Sequence, residues 1–272
     1  MNEGPRVERV RHELKRRKLT VARVERLPPR MVRIVLTGEE LRGFWSPGFD
    51  DHVKLFFPIA DRTGTTAITS DPSIPAPVGG AAGAMRDFTP RRFDAETGEL
   101  WIDFFLHEGG PAAAWAAQAR AGQFLEIGGP KGSAVVAADG IDAHVLIGDE
   151  TALPAINRRL EELPSSARTL VVVELDAGAE RPLLVNRAAM DVAWVARNED
   201  GGPPAHEIIA ALRKLTFPPG RCYVWIAAES RSARAIRGHL CGERRLDRKW
   251  IKAAGYWQRG SAGTHDRIPE DT

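Results

Sequence analysis

Cysteine is nearly missing from this chain: among 272 residues only Cys222 and Cys241 occur. That count excludes a disulfide scaffold and a cysteine-rich metal site. It makes a reducing compartment, the cytoplasm, the expected setting. The histidines, at 12, 52, 107, 144, 206, 239 and 265, show no paired ligand spacing, so no protein-held metal is expected. No Gly-x-Ser-x-Gly elbow occurs, which leaves a nucleophilic hydrolase without support. Nor is there an apolar run of the roughly 18 residues needed to span a bilayer. The opening "MNEGPRVERVRHELKRRKLT" lacks the apolar core of a signal peptide. No charge sign dominates, with 38 Lys and Arg against 36 Asp and Glu. Wholesale nucleic-acid binding is therefore not expected, and any anion site must be local. The basic run "KRRK" (15–18) reads as a solvated surface face, with docking to a partner as the alternative.

What is present falls into two halves. Up to about residue 140, short runs such as "LTVARVERL", "MVRIVLTG", "HVKLFFPI", "RDFTPRRF", "ELWIDFFLH" and "QFLEIGGP" are β-like and partly alternating. Gly, Pro and Asp separate them, a spacing that predicts an antiparallel β-barrel. One helix is predicted within it, "GPAAAWAAQARAG" (110–122), with Pro111 in its first turn and Gly122 at its end. Trp115 is expected to pack that helix onto the barrel. The stretch "TSDPSIPAPVGGAAGA" (69–84) reads as a mobile loop. From residue 144 the pattern alternates between strands and helices, as in "HVLIG", "DETALPAINRRLEELP", "RTLVVVELD", "VAWVAR", "PPAHEIIAALRKL", "CYVWIAAE", "SRSARAIRGHLCGERR" and "WIKAAGYW". Such alternation predicts an α/β doubly wound parallel sheet. The expected layout is two-domain: a barrel over 15–140, an α/β domain over 141–260 and a flexible polar tail over 261–272.

Three arginines stand around one aromatic residue and a threonine in "MRDFTPRRFD" (85–94). A guanidinium pairs with phosphate oxygens in a fork that Lys cannot copy. A flat ring stacks on a flat heterocycle, and a small hydroxyl can meet a ring nitrogen. In the second half two strands run into helices at "IGDETALP" and "AAESRSAR". Gly148 permits close approach there, and Thr151, Ser230 and Ser232 are candidate caps. Free N–H groups at such junctions attract phosphate, but Asp149 and Glu150 would repel it.

A barrel strand bearing Arg-x-Phe-Thr-x-Arg, followed by a nucleotide-type domain, resembles the ferredoxin–NADP reductase superfamily. Within it, the chain resembles the siderophore-interacting proteins, flavin-dependent ferric-siderophore reductases. The segments that carry this span roughly residues 15 to 260: "FDDHVKLFFP", "RDFTPRRFD", "IDFFLHEGGPAAAWAAQARAGQFLEIGGPKGS", "LIGDETALPAI", "YVWIAAESRSARAIRGHL" and "GYWQRG". The resemblance implies that Arg86, Phe88, Thr89 and Arg91 bind FAD. Phe88 stands where the family has Tyr, so stacking survives without the phenolic hydrogen bond. It also implies that His107, Gly110, Pro111 and Ala112 hold the FAD diphosphate, and that Gly132 and Ser133 border the cofactor. Ala113 replaces a Ser of the family, which removes one donor.

Gly148, Asp149, Thr151 and Glu229 would line the nicotinamide dinucleotide. Glu229 falls where related reductases carry a Cys-Gly-Pro turn. Glu174 and Asp176 end a strand where an acid would hold a free ribose hydroxyl, which favours NADH. Arg181, Arg231 and Arg234 would favour NADPH. Lys54 and Arg259 are implied as the basic rim for a ferric siderophore. The implied activity is electron transfer from NADH or NADPH through FAD to siderophore-bound Fe(III), releasing Fe(II) in the cytoplasm. The alternatives are a flavin or siderophore carrier without turnover, a flavin reductase acting on another acceptor, and a ferredoxin in place of the nicotinamide. Neither nucleic acid nor membrane insertion enters any of these readings.

Overall fold

The computed structural model describes residues 4–57, 59–60, 66–67, 84–107, 110–185, 189–198, 202–261 and 266–268. Its chain divides into two units, Arg9–Ala134 and Val135–Thr272, the second also taking the first residues up to Glu8. The expected mobile loop over 69–84 lies outside the described residues except for Ala84.

Period-2 patterning builds the first unit. Its elements are β1 (Val7–Arg11), β2 (Arg16–Leu27), β3 (Met31–Thr37), β4 (Val53–Phe56), β5 (Ile59–Ala60), β6 (Thr66–Ala67), β7 (Met85–Phe88), β8 (Pro90–Asp94), β9 (Glu99–Phe105), α1 (Pro111–Gln118), β10 (Phe124–Gly128) and β11 (Gly132–Val136). Seven of them form one antiparallel sheet in the order β7-β4-β10-β2-β3-β9-β8. The two edge strands, β7 and β8, are consecutive in the chain and separated only by Thr89. One segment therefore feeds both edges, so the sheet must curl until they meet. The seam of this barrel is the chain itself. Alternate residues of β2 point inward, with Leu19 and Val21 buried alongside Ile34 and Leu36 of β3. Trp115 of α1 closes the core against Phe57 and Phe104, with ring centroids at 5.7 and 5.9 Å.

The second unit contains β12 (Ala143–Asp149), α2 (Leu153–Glu162), β13 (Arg168–Leu175), β14 (Ala189–Ala196), α3 (His206–Lys214), β15 (Cys222–Glu229), α4 (Ser230–Gly242), β16 (Ile251–Trp257) and β17 (Asp266–Arg267). Sheet order is β14-β13-β12-β15-β16-β17, parallel except for β17. The central strand β12 is buried throughout, as a strand covered on both faces must be. Crossovers from β12 to β13 and from β15 to β16 run in opposite directions. Both being right-handed, α2 and α4 cover opposite faces. The switch in strand order falls between β12 and β15, where a doubly wound sheet opens a crevice.

Part of the tail differs from expectation. Gly255 and Ala254 pair with Asp266 and Arg267, and Ile268 is buried in the core beside α3 and α4. One apolar residue in a polar stretch anchors it. Among the described residues no helix is long and apolar enough to cross a membrane.

Candidate functional site

The barrel seam separates the three arginines of "MRDFTPRRFD". Directly opposed residues of an antiparallel pair share a face. Arg86 opposes Leu55, and Phe88 opposes Val53. Both partners are fully buried, so Arg86 and Phe88 lie on the core-facing side. Because β7 is an edge strand, that side is partly open and both residues are half-buried. Phe88 rests on Phe104, ring centroids 4.4 Å apart at 41°. Arg86 donates only to the neighbouring Met85 carbonyl, at 2.7 Å, and has no carboxylate partner among the described residues. Thr89, at the seam, is buried.

Arg91 has a different place from the one expected. It is the extra residue where the β8–β9 register slips, between Pro90 and Arg92. Such a bulge re-aims a side chain. Here it turns inward, leaving Arg91 3% exposed with Nε 3.8 Å from the carboxylate of Asp103. Asp103 also accepts a fork of hydrogen bonds from Arg33 at 2.7 and 2.8 Å. Arg92 stays outside, over the Trp101 ring at 4.9 Å. Of the three, Arg86 alone keeps an open guanidinium.

Helix α1 begins at Pro111 with Gly110 as its N-cap and no side-chain cap. The imidazole of His107 lies so close to Gly110 that a Cβ there would meet its Cε1 at 2.6 Å. A side chain at Gly110 would force the exposed imidazole aside, and the uncapped N–H groups of Ala112 and Ala113, behind the donor-less Pro111, remain for an outside acceptor. An unpaired Arg86, a half-open Phe88 ring and an uncapped helix start fit the phosphate and flat ring of FAD.

Three other expected positions are engaged elsewhere. Lys54 opposes Asp87 and bonds it at 2.8 Å, on the face opposite Arg86 and Phe88. Ser133 is buried, donating to Asp51 at 2.5 Å and bonded to His12 at 2.7 Å. Gly132 is held against β1, where a Cβ would lie 2.9 Å from the Val10 carbonyl. Internal packing and hydrogen bonds account for the conformations of Ser133 and Gly132.

In the second unit the two strand–helix junctions flank the switch point. Gly148 is needed there, because a Cβ would meet the Ala227 carbonyl at 2.5 Å and collide with Ala152. The capping residues are not the expected hydroxyls. Asp149 caps the first junction, accepting from the N–H and hydroxyl of Thr151 at 2.9 and 2.5 Å. Glu229 caps α4, accepting from Arg231 and Ser232 N–H at 2.7 and 3.1 Å, and from Arg259 N–H at 3.3 Å. Ser230 instead donates to the Trp257 carbonyl. The earlier carboxylates, Asp149 before Thr151 and Glu229 before both serines, outcompete the hydroxyls because a charged acceptor binds helix N–H groups more strongly. Asp149 further accepts from Trp257 Nε1 at 2.8 Å and Glu229 N–H at 3.2 Å. Burial, and then the neighbouring Glu150, raise its pKa to about 6. The arginine expected at the substrate rim, Arg259, is bonded here through its backbone, and its side chain is exposed.

Arg197, at the end of β14, changes the reading of the ribose acids. It binds Glu174 at 3.2 Å, Asp176 at 2.5 Å and Glu150 at 2.5 Å. Both acids that favoured NADH are committed to this cation. The strand sequence "VAWVAR" ends on Arg197 beside acid-ended neighbours, a pattern visible in the sequence only once strand order is known. Among the described residues no cluster of three His, Cys, Asp or Glu side chains is placed to hold a metal.

Comparison with known proteins gives the same outline. Residues 141–260 match the family model described as siderophore-interacting protein, and residues 20–134 match the siderophore-interacting FAD-binding domain. The NADPH-dependent ferric-chelate reductase of Escherichia coli (strain K12) is 37% identical over 261 residues, covering 94% of this chain and 99% of the relative. The ferric vibriobactin reductase ViuB of Vibrio cholerae is 32% identical and covers 90% of each chain. A siderophore utilization protein from T. fusca has a crystal structure that matches with a TM-score of 0.82 at 36% identity. That match covers 96% of this chain and 99% of the other.

Proposed function

The chain belongs to the siderophore-interacting protein family, and on that premise we propose that it is an FAD-dependent ferric-siderophore reductase. Electrons come from NADPH and pass to Fe(III) held by the siderophore, two equivalents reduced per nucleotide oxidised. The observation that carries this is the edge strand β7. There an unpaired Arg86 and a half-open Phe88 ring share one face beside the seam threonine. Arg86 and the N–H groups after Gly110 hold the diphosphate, Phe88 supports the ring system, and Thr89 meets its edge. Bound FAD supplies the exchange between two-electron and one-electron transfer.

Reduced iron binds hard oxygen ligands less tightly, so no protein ligand for the metal is required. An anionic chelate is drawn to exposed cations such as Lys54 and Arg259. Release of Fe(II) takes place in the cytoplasm in this reading. NADPH is preferred over NADH because Glu174 and Asp176 are tied to Arg197, and because a relative of 37% identity is NADPH-dependent.

One observation favours a second reading. The short turn that leads into α2 and the start of α4 are each capped by one of this chain's own carboxylates, which weakens phosphate binding there. A ferredoxin would then be the donor, or the protein would carry its ligand without turnover. Anaerobic titration of flavin-loaded protein separates these. NADPH should bleach the flavin absorbance, and added ferric tris-catecholate should restore it while a ferrous chelator colours. Loaded protein that neither NADPH nor NADH bleaches would remove the nicotinamide from the proposal.

A further inference from the structure

A cavity of about 300 Å³ opens in the first unit beside the start of β2, walled by His12, Lys15, Arg17, Arg42, Trp45 and Pro130. We propose that it binds a small aromatic carboxylate, at a site built from residues other than those of the Arg86–Phe88 corner.

Arg17 carries the charge argument. In the run "KRRK" it shares the inward phase of Leu19 and Val21, and it is only 6% exposed. All its hydrogen bonds go to neutral carbonyls: Nε to Glu40 O at 3.0 Å, Nη1 to Lys15 O at 3.2 Å and to Gly129 O at 3.1 Å. Among the described residues Nη2 has no partner. The carboxylate of nearby Glu40 accepts the Lys18 N–H at 2.8 Å instead. Desolvation lowers the pKa of this guanidinium while the charges of Glu40 and Glu13 act to raise it, and neither carboxylate accepts a hydrogen bond from it, so the desolvated charge is only partly offset. Glu13 is the one carboxylate on the wall, against the cations Lys15, Arg17 and Arg42. Arg42 also pairs with Glu39, but both are strongly exposed, and such a pair exchanges readily. The wall carries three cations against one carboxylate, a net positive charge.

Trp45 carries the ring argument. Its side chain is 56% exposed, and Leu14, next to the wall residues Glu13 and Lys15, is 71% exposed. His12 braces Trp45 edge-on, centroids 5.4 Å apart. His12 is itself fixed through Ser133 to the buried Asp51. An accessible indole beside one guanidinium bonded only to neutral carbonyls and another in an exposed, exchangeable ion pair suits a flat ring that bears a carboxylate. The volume lies at the lower end of small-molecule sites, about 300–1,000 Å³. It admits one substituted ring and not a whole iron chelate.

Calorimetric titration of the purified full chain with benzoate tests this, with acetate and benzyl alcohol as controls for charge alone and ring alone. Benzoate should bind with a Kd on the order of 1 mM or tighter, both controls at least about tenfold weaker. Trp45→Ala and Arg42→Ala, both at exposed positions, should each weaken benzoate by about fivefold or more. Flavin content and thermal midpoint should not change. Arg17→Lys should weaken it further, since the remaining Nη2 donor, held in place by the bonds of Nε and Nη1, is lost. Absence of benzoate binding, equal binding of acetate, or indifference to Trp45→Ala would each overturn the proposal.

The same ring and charge can belong to a free acid or to one arm of an iron chelate. Benzoate that competes with ferric tris-catecholate in the reductase assay assigns the chelate arm, and binding without competition assigns the free acid. Only this comparison rests on the reductase reading, because the calorimetry is independent of turnover.

Discussion

The carboxylate of Asp149 accepts the backbone N–H of Glu229 at 3.2 Å, tying the ends of two parallel neighbours at the switch in strand order. Asp149 also caps the short turn Glu150–Ala152 that leads into α2, and Glu229 caps α4. A crevice that attracts phosphate in other doubly wound sheets is thereby filled with internal acceptors. Glu229→Ala should cost about 1 kcal/mol as a lost cap and lower the thermal midpoint by roughly 2–4 °C. Glu229→Gln keeps an acceptor oxygen and removes the charge, so it should lose less stability. Its KM for NADPH should fall about twofold or more as repulsion is relieved. A higher KM in Glu229→Gln would mean that the carboxylate contacts the nucleotide favourably.

Arg86 and Arg91 lie five residues apart in the chain and should respond in opposite ways. Arg86→Ala removes a half-buried cation with no carboxylate partner, so the fold should survive. The purified protein should then lose its visible flavin absorbance. Arg91→Ala empties a buried position beside Asp103 and should cost roughly 3 kcal/mol in urea unfolding. Phe88→Tyr should retain FAD at least as well as the parent. Colour kept by Arg86→Ala would dissociate the barrel seam from the cofactor.

Lys54 is held by Asp87 at 2.8 Å on the outer face of the sheet, where an exposed pair contributes only about 0–1 kcal/mol. If this lysine draws an anionic ferric chelate, Lys54→Ala should raise the KM for ferric tris-catecholate about threefold or more. Asp87→Asn should do the reverse by freeing the cation. Neither change should alter flavin content. Matching KM values in all three proteins would remove Lys54 from the substrate surface.

Most of this fold is legible in the sequence because periodicity and turn residues report local structure. Strands such as "MVRIVLTG" and "CYVWIAAE" state their own period and length. Relations between elements were not legible in the same way. Nothing in "RDFTPRRF" shows that Thr89 is a barrel seam, since that depends on which strands lie at the two edges. Arg91 and Asp103 meet only through a bulge. Arg197, after β14, draws in Glu150 from the end of β12 and Glu174 and Asp176 from the end of β13, and their shared location depends on sheet order. Arg17 is the opposite case. Its phase with Leu19 and Val21 was present in the alternation, but the neighbouring cations made the run look like a solvated face.

His144 sits on the central strand at 1% exposure, with neither ring nitrogen hydrogen-bonded. Thr169 and Tyr223 occupy the opposing positions on either side. Burial, and then the charge of Arg159, push its pKa down to about 3, below the ordinary histidine value near 6.5. The unfolded chain therefore binds this proton more readily than the folded one. The stability contributed by the neutral ring is complete above about pH 6.5 and is lost as the pH falls toward 3. At pH 4.5 the loss should reach roughly 2–3 kcal/mol. In His144→Leu nothing titrates at this position, so that protein should lose correspondingly less between pH 7 and 4.5 in urea unfolding. The difference between the two pH profiles isolates the imidazole from the carboxylates that titrate in both. Parallel profiles would show that the ring is protonated in the folded state without cost, which requires a partner that reaches it from within the sheet.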